Sequence, residues 1–238
     1  MDLNISGKGT ISAGDYDEVV LKGNIKSKGK ISCKNFKFDG KFSGDSDIDC
    51  KKELKLSGDF KNDGSIKTDI LIASGKVKNE KNISAYSMKI SGSFISQSDI
   101  RTSKMKALGI IDVKRNIKAD KAHIVGMINN EGLIDVDNLH IEIFSSRYSE
   151  VKNIKGKDIQ IERKLRDPII TCFKKLAKSK TGVINVTDAI EGDDINLEYT
   201  IAKRVTGRRV NIGKGCQIGL VQYSDNIEVS SESTVETK

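Results

Sequence analysis

Four consecutive stretches, GDFKNDGSIKTDILIAS (58–74), GKVKNEKNISAYSMKIS (75–91), GSFISQSDIRTSKMKAL (92–108) and GIIDVKRNIKADKAHIV (109–125), are of equal length and each opens on glycine. The same marker extends outward to Gly23, Gly40 and Gly126, always at the seventeenth position after the last except for a step of eighteen between Gly40 and Gly58. A fixed period of this length signals a repeat architecture in which each unit is laid on the one before. Two residues after each glycine stands an apolar side chain (Ile25, Phe42, Phe60, Val77, Phe94, Ile111, Ile128), and eight residues after it an isoleucine (Ile31, Ile48, Ile66, Ile83, Ile100, Ile117, Ile134). Ten residues after it a smaller residue recurs, as at Cys33, Cys50, Thr68, Ala85 and Thr102.

Apolar pairs at a spacing of two, such as Phe36/Phe38, Leu54/Leu56, Met88/Ile90 and Leu139/Ile141, close the unit. That spacing puts both side chains on one face of a strand, and so short a unit has no room for a strand, a helix and a return. The sequence therefore predicts an all-β fold: a single-stranded parallel β-helix, a solenoid of about 17-residue coils whose equivalent positions stack at the interstrand distance of about 4.8 Å. The repeated glycine reads as a tight corner. Neither these glycines nor Gly7-Lys8-Gly9-Thr10 completes the GxxxxGKS/T pattern of a phosphate-binding loop.

Aromatic content of 5%, one proline and no tryptophan leave too few bulky side chains for a globular core of 238 residues, in agreement with a narrow one. Residues 1–142 are predicted to form an N-terminal array, with residues 3–22 as a modified first coil. Residues 143–183 break the pattern. There Asp167-Pro168, followed by Ile169, Ile170, Phe173, Leu176 and Ala177, predicts a short helix over 168–178 or an irregular excursion, with basic residues from Lys174 to Lys180. Coils resume over 184–223, and the polar stretch 224–238 is expected to fray, with Ile227 and Val229 available for a last strand.

The segment IEGDDINLEYTIAKRVTGRRVNIGKGCQIGLVQYSD (190–225) resembles the C-terminal part of bactofilin-related, polymer-forming cytoskeletal proteins of bacteria. The likeness is carried by Gly192, Asp193, Ile195, Leu197, Glu198, Thr200, Ala202, Val205, Gly207, Val210, Ile212, Gly213, Gly215, Cys216, Ile218, Val221 and Tyr223. It implies a right-handed β-helix that polymerises end to end without nucleotide and serves as a cytoplasmic scaffold for cell shape, appendages or localised enzymes. Right-handedness is also what parallel crossovers favour. The partners implied are further copies of the chain or a paralogous subunit.

The opening MDLNISGKGTIS carries no signal-peptide or lipidation pattern and no long apolar run follows, so a cytoplasmic location without a transmembrane segment is expected. Self-assembly would use the end coils, at Leu3, Ile5 and Ile11 on one side and Val221, Tyr223, Ile227 and Val229 on the other, because an open solenoid end exposes unpaired backbone and apolar columns. Outward-facing Ile95, Ile110 and Met127, beside Leu133, are expected to form a lateral contact patch. Lys37, Lys55, Lys89 and Lys106 share one outward column, a basic stripe suited to an anionic membrane surface or another acidic partner at a net charge of +8.

His123 and His140, one period apart, fall on the same outward face, and two histidines alone are too few for a metal site, so no metal and no cofactor are expected. Cys33 and Cys50 read as small core residues in one column. The single hexad-like run Ile212–Gly219 mimics left-handed β-helix acyltransferases, but such enzymes need sustained hexads and a histidine base in a cleft. The expectation is a non-enzymatic subunit; the alternatives are a monomeric, adhesin-like binding scaffold with capped ends and, behind it, an acyltransferase.

Overall fold

The computed structural model describes residues 1–164 and 182–236. It divides into two compact units, Met1–Ala119 and Asp120–Lys238. Each is a right-handed parallel β-solenoid. Among the described residues there is no helix, and so none long and apolar enough to cross a membrane.

In the first unit β1 (Leu3–Asp15), β2 (Glu18–Gly44), β3 (Ile48–Asn62), β4 (Ile66–Asn79), β5 (Ile83–Ser96) and β6 (Ile100–Val113) pair in parallel, each with the next. The register is the one the repeat predicts. Ile31, Ile48, Ile66, Ile83 and Ile100 form one column, Phe42, Phe60, Val77, Phe94 and Ile111 another, and all of these are buried. Apolar side chains stacked in these columns build a dry interior; Phe42 and Phe60 stack ring on ring, 4.5 Å apart and 4° from parallel.

Gly40, Gly58, Gly75, Gly92 and Gly109 also align. Gly75 has φ +98°, and a Cβ there would lie 2.5 Å from the carbonyl oxygen of Gly58, so the corner demands a residue without one. The single longer interval, between Gly40 and Gly58, is absorbed as a β-bulge: Cys50 and Glu53 oppose Cys33 and Asn35 on one side and Thr68 and Ile70 on the other, which leaves Lys51 and Lys52 to share one place.

A polar column runs inside this core. Asn62, Asn79 and Ser96 are in register and fully buried. Asn62 donates through Nδ2 to Gly64 O (2.9 Å) and to Asn79 Oδ1 (3.0 Å), Asn79 donates to Lys81 O (2.6 Å), and Ser96 Oγ donates to Ser98 O (3.0 Å). The side chains thus close the corner that follows each strand, which offsets the cost of burying them.

The second unit holds most of β7 (Ile117–Phe144), then β8 (Tyr148–Lys155), β9 (Asp158–Lys164), β10 (Val183–Leu197), β11 (Thr200–Ile212), β12 (Gln217–Val229) and β13 (Thr234–Val235). Residues 148–155 and 158–164, expected to be irregular, are regular strand. Val151 and Ile154 lie between β7 and β10, as do Ile159 and Ile161, all four buried. The period is lost in the sequence because Ile154 pairs with Ile134, a longer step than the repeat allows, the added residues forming a turn closed by Arg147 N donating to Phe144 O. The helix or excursion expected over 168–178, the basic stretch Lys174 to Lys180 and Cys172 lie outside the described residues. The tail expected to fray instead continues β12 to Val229 and returns as β13, where Val235 covers Ile218 and Ser233 Oγ accepts from Cys216 N.

Candidate functional site

In the second unit three core columns run to the last full strand and stop there. Ile190–Val205–Val221, Ile195–Val210–Ile227 and Leu197–Ile212–Val229 are each in register through β10, β11 and β12. The first two members of every column are buried, whereas Val221 and Ile227 are half-buried and Val229 is 46% exposed. Tyr223, above Gly207, is 53% exposed. Among the described residues β13 pairs with β12 only at Gln217 and Ile218, so the outer edge of residues 219–229 has no strand beside it. A strand with a free edge and apolar side chains facing along the stack is a template for another strand.

The β1 edge of the first unit is built differently. Leu3 lies over Val19 and Ile5 over Leu21, with Leu3 and Ile5 both half-buried. Over Ile25 and Ile31, however, the first coil carries Gly9 and Gly14. Ile5 leans into the first gap, its Cγ2 2.8 Å from where a Cβ on Gly9 would stand, and the Tyr16 ring lies 3.0 Å from the same point on Gly14. Tyr16 is pinned by its hydroxyl donating to Ser12 O (3.2 Å). Ile11, expected as contact surface, is a core residue at 2% exposure; it stands over Ser27, whose small side chain leaves it room to sink.

Lys37, Lys55, Lys89 and Lys106 do form one exposed column, interrupted by Ile72 between Lys55 and Lys89. None of the four makes an ion pair among the described residues. The lateral patch is not assembled as expected. Ile95 is aligned with Lys78 and Asp112, Ile110 with Ser93, so the two lie in different columns, and both are half-buried. Met127 and Leu133, in the second unit, are half-buried as well. The exposed large apolar residues of the first unit's flank are Ile70, Tyr86 and Leu108, which do not recur at one position of the repeat.

The two histidines are not alone. Their rings stack 4.7 Å apart and 6° from parallel, one coil above the other. His123 Nε2 lies 2.6 Å from Glu142 Oε1 and His140 Nε2 lies 2.8 Å from Glu162 Oε1. An ionised carboxylate can only accept, so each Nε2 carries the proton. Lys164 Nζ closes on the other oxygen of Glu142 at 2.6 Å. Burial works against ionisation of Glu142, whose side chain is 12% exposed, but the contacts with Lys164 and His123 hold its carboxyl below the ordinary glutamate value. Glu142 shares a strand face with His140 two residues before it, a spacing visible in the sequence; Glu162 arrives opposite Glu142 only because the next coil is longer.

Cys33 and Cys50 stack as expected, both buried and free, with Cys50 Sγ donating to Glu53 O (3.0 Å) and Lys34 O (3.3 Å). Cys50 alongside and burial push the Cys33 thiol up, which leaves it a poor nucleophile. Cys216, at the hexad-like run, is likewise buried, and burial pushes its thiol up.

No family model matches the chain, and no solved structure matches it. It is 34% identical over 90 residues to the uncharacterized protein YhbF of Bacillus subtilis (strain 168), an alignment covering 38% of this chain and 34% of that protein. It is also 34% identical over 90 residues to the uncharacterized protein YhbE of the same organism, covering 37% and 38% respectively. The chain thus spans little more than a third of the length of the curated relatives it matches.

Proposed function

We propose that the protein is a structural, non-enzymatic subunit that joins end to end with further copies, or with a paralogous subunit, into filaments that form a cytoplasmic scaffold. The observation that carries this reading is the run-out of three buried columns at Val221, Ile227 and Val229 on a strand whose outer edge, beyond Ile218, has no strand beside it among the described residues. Pairing that edge with β1 of a second copy satisfies backbone groups and buries apolar surface together, with no nucleotide needed. The likeness of residues 190–225 to polymer-forming bactofilin-related proteins points the same way.

Val221→Lys tests the joint. An ammonium placed in a strand-to-strand contact without a partner costs several kcal/mol, enough to weaken association on the order of a thousand-fold. The expected result is a folded monomer, with β-structure retained by circular dichroism and polymer lost by sedimentation and electron microscopy. Wild-type protein that stays monomeric at high concentration in ordinary salt would replace the scaffold with a monomeric binding module. The self-filled first coil, with Ile5 and Tyr16 folded over Gly9 and Gly14, is the observation that favours that second reading.

The basic column supplies a test of partners. Lys89 and Lys106 are neighbours in adjacent coils, so Lys89→Glu with Lys106→Glu turns two adjacent cations into anions. Binding to acidic liposomes should fall at least ten-fold at low salt, and no binding by the unaltered chain would remove the column from any such role.

A further inference from the structure

On the outer face of the second unit, His123, His140 and Glu142 offer two imidazole nitrogens and a carboxylate oxygen that all lie within 4.8 Å of one another. Glu162 adds a second carboxylate, 2.8 Å from His140. We infer that this cluster is a binding site for a divalent transition-metal ion of the zinc class, held between two successive coils. Imidazole and carboxylate together are the donor set that zinc, cobalt and nickel accept, and unlike thiolate they do not select for softer ions.

The geometry needs only side-chain motion. With bonds of about 2.0–2.2 Å, two ligand atoms of one tetrahedral ion stand about 3.3 Å apart. The 2.6 Å contact of His123 Nε2 with Glu142 Oε1 must open by a fraction of an ångström, and the two rings, now 4.7 Å apart, must lean together. Both are free to do so: the His123 and His140 side chains are 40% and 33% exposed and stand on the outer face of the strand. Each nitrogen that binds passes its proton to Nδ1 or to solvent, and the ion takes the place that proton held between imidazole and carboxylate. Glu142 is the fixed ligand, being the most buried of the set, and Glu162 stands beside His140. Lys164, paired to Glu142 Oε2, the oxygen not engaged by His123, is an opposing charge.

Zinc titrated by calorimetry into the untagged full chain near neutral pH, with cobalt as a spectroscopic probe, tests the site. One ion per chain is expected, with visible bands of nitrogen and oxygen ligation. Affinity should drop at least ten-fold in His140→Gln and in Glu142→Gln and rise in Lys164→Gln, which removes the competing cation. Imidazole ligates only unprotonated, so affinity should also fall on acidification. Circular dichroism confirms that each variant is folded, as their outward positions lead one to expect. Absence of binding at millimolar zinc, binding unchanged in His123→Gln with His140→Gln, or a thiolate charge-transfer band with cobalt would each overturn the inference. The outcome is independent of assembly, which none of these variants touches.

Discussion

Ile83→Asp is expected to abolish the folded state of the first unit. Ile83 is 1% exposed and lies between Ile66 and Ile100 in an unbroken column of isoleucines. The change removes about 2–5 kcal/mol of side-chain packing and leaves a carboxyl in a dry interior without a partner, which costs several kcal/mol more. Because every coil is held by its two neighbours, both interfaces of β5 are damaged at once. The sum rivals the whole stability of an ordinary domain, about 5–15 kcal/mol. Loss of the β-sheet signal in circular dichroism at room temperature is the expected outcome; a melting curve like that of the unaltered chain would show that the isoleucine column is not the core. The contrast with Val221→Lys, which should remove polymer and keep the fold, separates a middle coil from an end.

Gly92→Ala is a smaller chemical change with a comparable direction of effect. Gly92 has φ +117°, a region that side chains other than glycine rarely enter, and an added Cβ would stand 2.3 Å from the carbonyl oxygen of Gly75. The obstacle is backbone in the adjacent coil, so it cannot swing aside as a side chain would. Either the corner flattens or the two coils part and lose hydrogen bonds, at a cost on the order of 3–4 kcal/mol. Urea denaturation should show a much lower midpoint, while Ser91→Ala, one residue away and exposed, should stay within about 0.5 kcal/mol of the starting protein. Equal midpoints for the two variants would mean that the glycine column is a habit of the sequence and not a demand of the corner.

The fold is legible because a solenoid repeats its chemistry at one interval: Ile31 to Ile100 and Gly40 to Gly109 name their own neighbours. What cannot be read depends on contacts that the interval does not carry. The stretch 148–164 hides its strands behind a turn that lengthens one coil and throws the period out of step. Asn62, Asn79 and Ser96 look like surface residues until the carbonyls of Gly64, Lys81 and Ser98 are seen to curl round and accept their protons. Ile11 reads as contact surface because it belongs to the first coil, whereas the small Ser27 beneath it decides its burial. The histidine–glutamate cluster is visible by half: His140 and Glu142 share a face by simple alternation, but Glu162 and Lys164 reach them only through the lengthened coil.

The buried amides also bear on how the chain finds its own fold. A solenoid of near-identical units runs the danger of skipping a coil, since any strand would accept the next but one almost as well as the next. In the first unit a slip past β5 would set Asn79 against Val113 in place of Ser96, and a slip past β4 would cost Asn62 its bond to Asn79, leaving a buried amide short of a partner at about 1–3 kcal/mol. A slip past β3 would bring Phe42 over Val77 and break the ring stack with Phe60, and it would lose the opposite number of the bulge at Lys51 and Lys52. The small irregularities among the coils therefore act as addresses, telling each turn of an otherwise monotonous chain which neighbour is its own.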